Sequence, residues 1–550
     1  MIISSVLKVA LGVACSLLPL GTVAKSHHAG SFPSLLDATL EELRHGLDSG
    51  MFTSVELTKA YIARIKEVTN DLRPVNTINP DALAIAAQMD SARKENRQNC
   101  RPLHGIPVLI KDNIATLDKM DNTAGSYAFV GAIPREESTV AAKLRKAGVI
   151  ILGKSNLSQW ANWRSLNTSN GWTSIGGQTK GAYFPGQDPS GSSSGSGVGS
   201  SIGLAWASLG TETDGSIISP SNVNNLVGIK PSVGLTSRYM VVPISEHQDS
   251  IGPMARTVRD AAHLLAAIAG PDGKDNYTSA IPFEDGRLPD YVAACKEDGL
   301  RGKRLGVPRS YRLSDTNNEA DPIRKAFNEA LKTLRSAGAV VVEDIDLPGE
   351  DKVHGPEYEV VLNGDFVIDI RKDYIAHLKT NPSNINNVKQ LQDFTRNHPK
   401  EEYPARDTTI WNIGLELGFD NTSPQFWGNY SQQLYNAGPL GILGALKNHS
   451  LDAIVVPTDF MPASPAIVGS PVITVPLGRK PDGTPVTRNA FGNLNATAPN
   501  MPFGLGFAGA RFAEETLIEI AYGFEQKSKV RQKIRPYVKP KTELKDVVCR

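Results

Sequence analysis

The sequence predicts an α/β protein with one large domain, in which helices cover a mostly buried central β-sheet. Three observations carry that prediction. Apolar, β-branched runs recur at 105–111, 149–152, 339–345 and 451–457. Helical patterns at 138–146 and 322–337 run directly into two of them, as crossovers between buried strands do. No Pro/Gly/Ser linker and no internal repeat at solenoid periods divides the 550 residues into self-sufficient parts.

Taken in order, the chain begins with one charge at Lys8, an apolar run from Val9 to Leu18, then Pro19, Gly21, Thr22 and Ala24. This reads as a secretory signal peptide, residues 1–24, cut after Ala24. The run is short for a bilayer span and is broken by Pro19 and Gly21. The mature chain, 25–550, is therefore expected to be secreted, with no membrane partner. Thr53 and Glu56 have capping-box spacing ahead of Leu57, Ala60, Ile62 and Ile65, which predicts an amphipathic helix over 54–68. The apolar run at 105–111 ends in Lys111, an unusual place for a charge. Residues 349–447 are richer in Asn, aromatic and charged residues and read as a helical, irregular insertion that shapes a substrate entrance.

Charge and composition narrow the function. Lys plus Arg and Asp plus Glu stand at 58 against 57, so no global field attracts nucleic acid, and a small, roughly neutral partner fits better. No His, Cys or carboxylate cluster has metal-ligand spacing, and no cofactor is expected. His104 sits in a Gly/Pro turn that suits a structural role. After loss of Cys15 with the signal peptide, Cys100, Cys295 and Cys549 allow one disulfide at most. None of the three has the surroundings of a catalytic thiol.

The most unusual segment is Gly191-Ser-Ser-Ser-Gly-Ser-Gly-Val-Gly-Ser-Ser-Ile-Gly203, followed by Thr211-Glu-Thr-Asp-Gly-Ser216. A flexible linker would not run straight into Leu204, Ala205, Trp206 and Leu209. Such density of glycine and serine predicts closely packed backbone with amides facing a ligand. Neither the Gly-Lys-Ser/Thr of a P-loop nor G-x-G-x-x-G spacing is present. Gly191 to Gly195 satisfies G-x-S-x-G with Ser193 at its centre, but Pro185, Gly186 and Pro189 replace the strand that a nucleophile elbow needs. The chain also has no histidine after His449 to complete such a triad.

These residues, with Gly228-Ile-Lys-Pro231, resemble the amidase signature family. The stretches 102–113, 250–256 and 512–526 agree with its lysine motif, its post-signature turn and its closing helix, and the similarity spans about 36–529, with the signature at about 185–235. The resemblance implies a central mixed, twisted sheet and amide hydrolysis without a cofactor. It also implies an acylating Ser216, a bridging Ser192 on a cis peptide and a basic Lys111. The backbone N–H groups of Thr213, Asp214, Gly215 and Ser216 would hold the oxyanion. Within the family, the motifs are most similar to the peptide amidase branch, so the expected partner is a small-molecule or peptide amide. Asp214 stands where many members have glycine. It either contacts a substrate amide or shapes the turn.

A lysine serves as base only when neutral, and the apolar run at 106–110 can supply the burial that disfavours its ammonium form. Two alternatives share these residues: an amidase that tailors a secondary metabolite, and an inactive descendant that binds a peptide or carbohydrate. Secretion would make the Asn-x-Ser/Thr sites at Asn156, Asn167, Asn276, Asn421, Asn429, Asn448 and Asn495 glycan acceptors. The later ones are preferred, because Asn156 and Asn167 lie near the signature segment.

Overall fold

A computed structural model of the chain describes residues 32–95, 101–284, 287–313, 321–353 and 356–548. The expected signal peptide at 1–24, together with Cys100 and Cys549, lies outside the described residues. Residues from Pro33 onward form one compact unit.

Eleven strands build the central sheet: β1 (Val75–Ile78), β2 (Pro107–Lys111), β3 (Ile150–Ser155), β4 (Ala207–Glu212), β5 (Val227–Lys230), β6 (Ser250–Ala255), β7 (Arg304–Pro308), β8 (Val340–Ile345), β9 (Ala453–Pro457), β10 (Val472–Arg479) and β11 (Pro502–Ala508). Their spatial order is β1-β3-β2-β4-β6-β5-β10-β11-β9-β7-β8. Parallel pairs β3-β2-β4 and β9-β7-β8 flank an antiparallel centre, so the sheet is mixed, as the resemblance implied. Strands β2, β3, β4, β6 and β9 are buried along their whole length, which accounts for runs without polar alternation.

The helices follow from local signals. Helix α1 (Leu40–Ser49) and helix α2 (Ser54–Leu72) both start in complete capping boxes, Thr39 with Glu42 and Thr53 with Glu56. Helix α2 runs four residues past the expected end and stops at Arg73, which takes a left-handed conformation at φ 47°. Ser138 caps α3 (Thr139–Lys146), which carries the chain from β2 to its parallel neighbour β3.

The Gly/Ser segment forms helix α4 (Ser194–Ser201), all eight residues of which are buried between neighbouring elements. Its hydroxyls are satisfied inside the core, with Ser196 donating to Leu209 O at 3.0 Å and Ser200 to Met254 O at 2.8 Å. At Gly195 a Cβ atom would lie 2.2 Å from Pro74 O, so only glycine allows this approach. Close packing is as predicted. The expectation of a ligand-facing amide cradle is corrected, because beyond Ser194 the segment's backbone is coiled into a buried helix.

Residues 349–447 are helical, as predicted, and include α5 (Pro356–Asp369), α6 (Thr409–Glu416) and α7 (Pro424–Ala437). An apolar cluster of Phe129, Trp160, Phe366, Tyr374 and Trp411 joins this region to the body of the protein. Buried Glu401 accepts hydrogen bonds from Ser126, the Tyr127 amide, Gln159 and Ser174, and pairs with buried Arg164 at 3.0 Å.

Cys295 is buried and reduced, and burial pushes its thiol up to about 12. The preference for later glycan acceptors does not hold at Asn421 and Asn495. Both are buried, and their amides donate to Asp365 and to Pro185 O. Asn156 is also buried, whereas Asn167, Asn276 and Asn448 are exposed.

Candidate active site

Strand register brings the predicted residues together. Lys111 ends β2, and β4 lies beside it in parallel, with Ile110 opposite Leu209, so Thr211 is carried next to the lysine. Lys111 Nζ lies 2.8 Å from Thr211 Oγ1, 3.1 Å from Thr211 O and 2.7 Å from Ser192 Oγ. Ser192 Oγ lies 3.0 Å from Ser216 Oγ. The peptide bond between Gly191 and Ser192 is cis. Lys111, Ser192 and Ser216 thus form one hydrogen-bonded chain, wholly buried at Lys111 and Ser192 and 8% exposed at Ser216. Ser193, at the centre of the G-x-S-x-G match, instead donates to Thr211 O at 3.1 Å from a fully buried position.

Burial pulls the Lys111 ammonium down to about 7, against the opposing charges of Asp249 and Glu212, which raise it. Asn113 donates to Thr211 Oγ1 at 3.0 Å and fixes the hydroxyl that faces Nζ. Antiparallel pairing of β4 with β6 sets Glu212 opposite Ser250 and so brings in Asp249. Asp249 accepts from Thr213 Oγ1 at 2.5 Å and from the Ile244 and Ser245 amides, while burial pushes it up to about 6.

The turn before Ser216 is held from inside. Buried Glu212 accepts the Gly215 N–H at 3.0 Å, the Ile217 N–H at 2.6 Å and the Ile218 N–H at 2.9 Å, at the start of the short helix Ile218–Val223. Gly215 has φ 85°, a region that disfavours side chains. Its amide is committed to Glu212, so of the four amides expected to hold an oxyanion this one is already engaged. Those of Thr213 and Ser216 have no protein acceptor among the described residues.

Ser216 opens into a cavity of about 490 Å³ lined by Trp163, Thr213, Asp214, Ile244, Tyr358 and Ile410, among others. Tyr358 comes from α5 and Ile410 from α6, so the 349–447 region contributes to the lining of this cavity. A second cavity of about 480 Å³ shares Ala161, Thr213 and Ile244 as a common wall and reaches Asn113, Thr211 and Asp249 behind Lys111. His104 has the structural place expected of it, with Nε2 2.9 Å from Met89 O.

Four residues of this site carried no role in the sequence reading: Asn113, Thr211, Glu212 and Asp249. Glu212 stands inside the signature segment, and its position four residues before Ser216 was the available signal. Asp249 had none, because a strand register 37 residues away brings it in.

Comparison with known proteins gives the family. The Amidase family profile matches residues 56–518. A protein of Arthroderma benhamiae that carries the amidase name is 48% identical over 542 residues, covering 94% of this chain and 90% of the relative. The native peptide amidase of Stenotrophomonas maltophilia superposes with a TM-score of 0.80 at 34% identity, covering 93% of this chain and all of that one. A structure of the peptide amidase PAM with the competitive inhibitor chymostatin gives 0.80 at 35% identity, covering 91% and 99%. The chain belongs to the Amidase family and is a hydrolase of carbon–nitrogen amide bonds, with structural neighbours among the peptide amidases.

Proposed function

We propose that this amidase hydrolyses linear carboxamides, C-terminal peptide amides among them, through an acyl-enzyme on Ser216 with Ser192 and Lys111 as its proton relay. The observation that carries the reading is the unbroken chain of contacts from Lys111 Nζ through Ser192 Oγ to Ser216 Oγ, at 2.7 and 3.0 Å, ending at the floor of a cleft. A neutral amine has two hydrogens and one lone pair. With its two hydrogens given to Thr211 O and Thr211 Oγ1, the lone pair faces Ser192.

The steps follow from that arrangement. Ser216 Oγ attacks the amide carbon, its proton passes to Ser192, and the proton of Ser192 passes to Lys111. The Ser216 and Thr213 amides, on the turn that also contains Asp214 and Gly215, face the developing oxyanion, where one such donor is worth roughly 3–4 kcal/mol of barrier. As the carbon–nitrogen bond breaks, the proton returns through Ser192 to the leaving nitrogen. Water then attacks the ester by the same relay and releases the acid. Peptide amides are supported as substrates by the two peptide amidase neighbours. Secretion is supported by the apolar run from Val9 to Leu18, and glycans on the mature protein would sit at exposed Asn167, Asn276 and Asn448.

The test is ammonia or amine release from a panel of peptide amides, aliphatic and aryl amides, and esters. Wild type is expected to cleave at least one amide, and Ser216→Ala to lose at least about 10³-fold in kcat. Equal behaviour of the two proteins on every substrate would end the proposal.

A further inference from the structure

The cavity over Ser216, at about 490 Å³, has the size of a small-molecule site, and its lining divides into two sets. Asn170, Asp188 and Asn489 form a polar set that is bonded within itself. Asn170 Nδ2 donates to Asp188 Oδ1 at 3.2 Å, and the Asn489 side chain bonds the same carboxylate. Trp163, Leu166, Leu362 and Ile410 form an apolar set. Three hydrogen bonds lay the segment 163–167 along 405–411: Trp411 Nε1 donates to Trp163 O at 2.6 Å, Ser165 Oγ to Asp407 Oδ1 at 2.6 Å and Asn167 Nδ2 to Ala405 O at 3.2 Å. Trp163 also packs on the buried cluster that contains Ile410. Leu362 enters from α5, which packs against α6, the helix of Ile410. One turn before Leu362, the Tyr358 hydroxyl donates to Asp214 Oδ2 at 2.7 Å and ties α5 to the nucleophile turn. The apolar set is therefore one wall, fixed in place beside Ser216.

Leu166 is 68% exposed, more than any other large apolar side chain among the described residues. A substrate group that covers this wall takes apolar surface out of water, which favours binding in proportion to the area removed. A charged group loses its hydration there and meets no cation, because no Lys, Arg or His occurs among the described residues that line the cavity. When ammonia is the leaving group, only the acyl part of the substrate is large enough to reach the wall.

We propose that Trp163, Leu166, Leu362 and Ile410 form a specificity-determining subsite for a bulky apolar group on the acyl part. Carboxamides with aromatic or branched aliphatic acyl substituents are then preferred over those with small or anionic ones. This deepens the amidohydrolase reading and rests on it.

The test measures kcat/KM for ammonia release by the full-length protein from the N-acetyl amides of phenylalanine, leucine and alanine and from the α-amide of N-acetylaspartate. Wild type is expected to favour the phenylalanine and leucine amides over the alanine amide by roughly tenfold or more, with the aspartate amide slowest. Leu166→Lys alters an exposed position, so its fold should persist. In that variant the phenylalanine-to-alanine ratio should fall by roughly fivefold or more, while the aspartate amide gains several-fold relative to alanine. Ile410→Ala, checked for folding by thermal melting, should lower the phenylalanine-to-alanine ratio as well. A ratio unchanged in Leu166→Lys or in folded Ile410→Ala, including a parallel loss on all substrates, would overturn the inference. Wild-type turnover indifferent to the side chain would overturn it alone. Silence of the wild type on these and every other amide would overturn the hydrolase reading as well.

Discussion

At the scale of single residues, Lys111 shows how one environment sets both chemistry and stability. Its folded value of about 7 lies below the ordinary lysine value of 10.5, with burial as the main cause. The wild-type rate is therefore expected to fall as pH drops below about 7 and Lys111 takes up the proton that a base must lack. The stability consequence has the opposite sign to the usual lysine case. Between pH 7 and 10.5 the unfolded chain binds a proton at this position that the native chain does not, so native stability rises with pH across that window. Relative to Lys111→Met, the wild type should gain on the order of 1 kcal/mol per pH unit there, measured by denaturant unfolding at pH 7.5 and 9.5. Parallel pH dependence of the two proteins would show that Lys111 is charged in the native state. The identities of Lys111, Ser192 and Ser216 were legible in the sequence because their motifs are contiguous. Asp249 was not, since its distance from Lys111 depends on pairing between strands far apart in the chain.

Among the elements, the Gly/Ser helix at 194–201 is the case where a local signal was ambiguous. Composition suggests a linker or a ligand cradle. The surrounding apolar strands decide for a buried helix, because only residues without bulky side chains let it lie against β2 and β4. Gly195→Ala tests this: its methyl would meet Pro74 O at 2.2 Å and Asn156 N at 2.6 Å. Backbone cannot yield as a flexible side chain would, so a cost of about 1–3 kcal/mol is expected, seen as a lower melting temperature. Because Ser192 precedes this helix by two residues, amide turnover should also drop by roughly 10²-fold. A variant that melts and turns over like wild type would mean that the helix has room to shift. Capping boxes, in contrast, were readable outright, since Thr53 and Glu56 need only each other and the backbone between them.

For the molecule as a whole, the buried Glu401–Arg164 pair bonds the 349–447 region to the 126–174 segment beside the site, with Arg164 Nη2 also donating to Glu401 O at 2.7 Å. Glu401→Ala would leave a buried guanidinium and four further donors without their acceptor. A loss of about 3–5 kcal/mol is expected, against a smaller loss for Glu401→Gln, both followed by thermal melting. Equal, small effects would show that water replaces the carboxylate. This pair was invisible in the sequence, where its members stand 237 residues apart. The sequence by itself determined the α/β class, the strand-forming runs, the capping box at Thr53 and Glu56, and the family resemblance that points to the residues proposed for the relay, because each depends on side-chain type and short spacing. Tertiary structure alone decided that Lys111 is desolvated, that Glu212 clamps the nucleophile turn and that Asp249 joins the site. It alone decided that Tyr358 reaches Asp214 and that Asn421 and Asn495 are closed to modification. Each of these depends on which distant segments exclude water from the same place, and no local pattern records that.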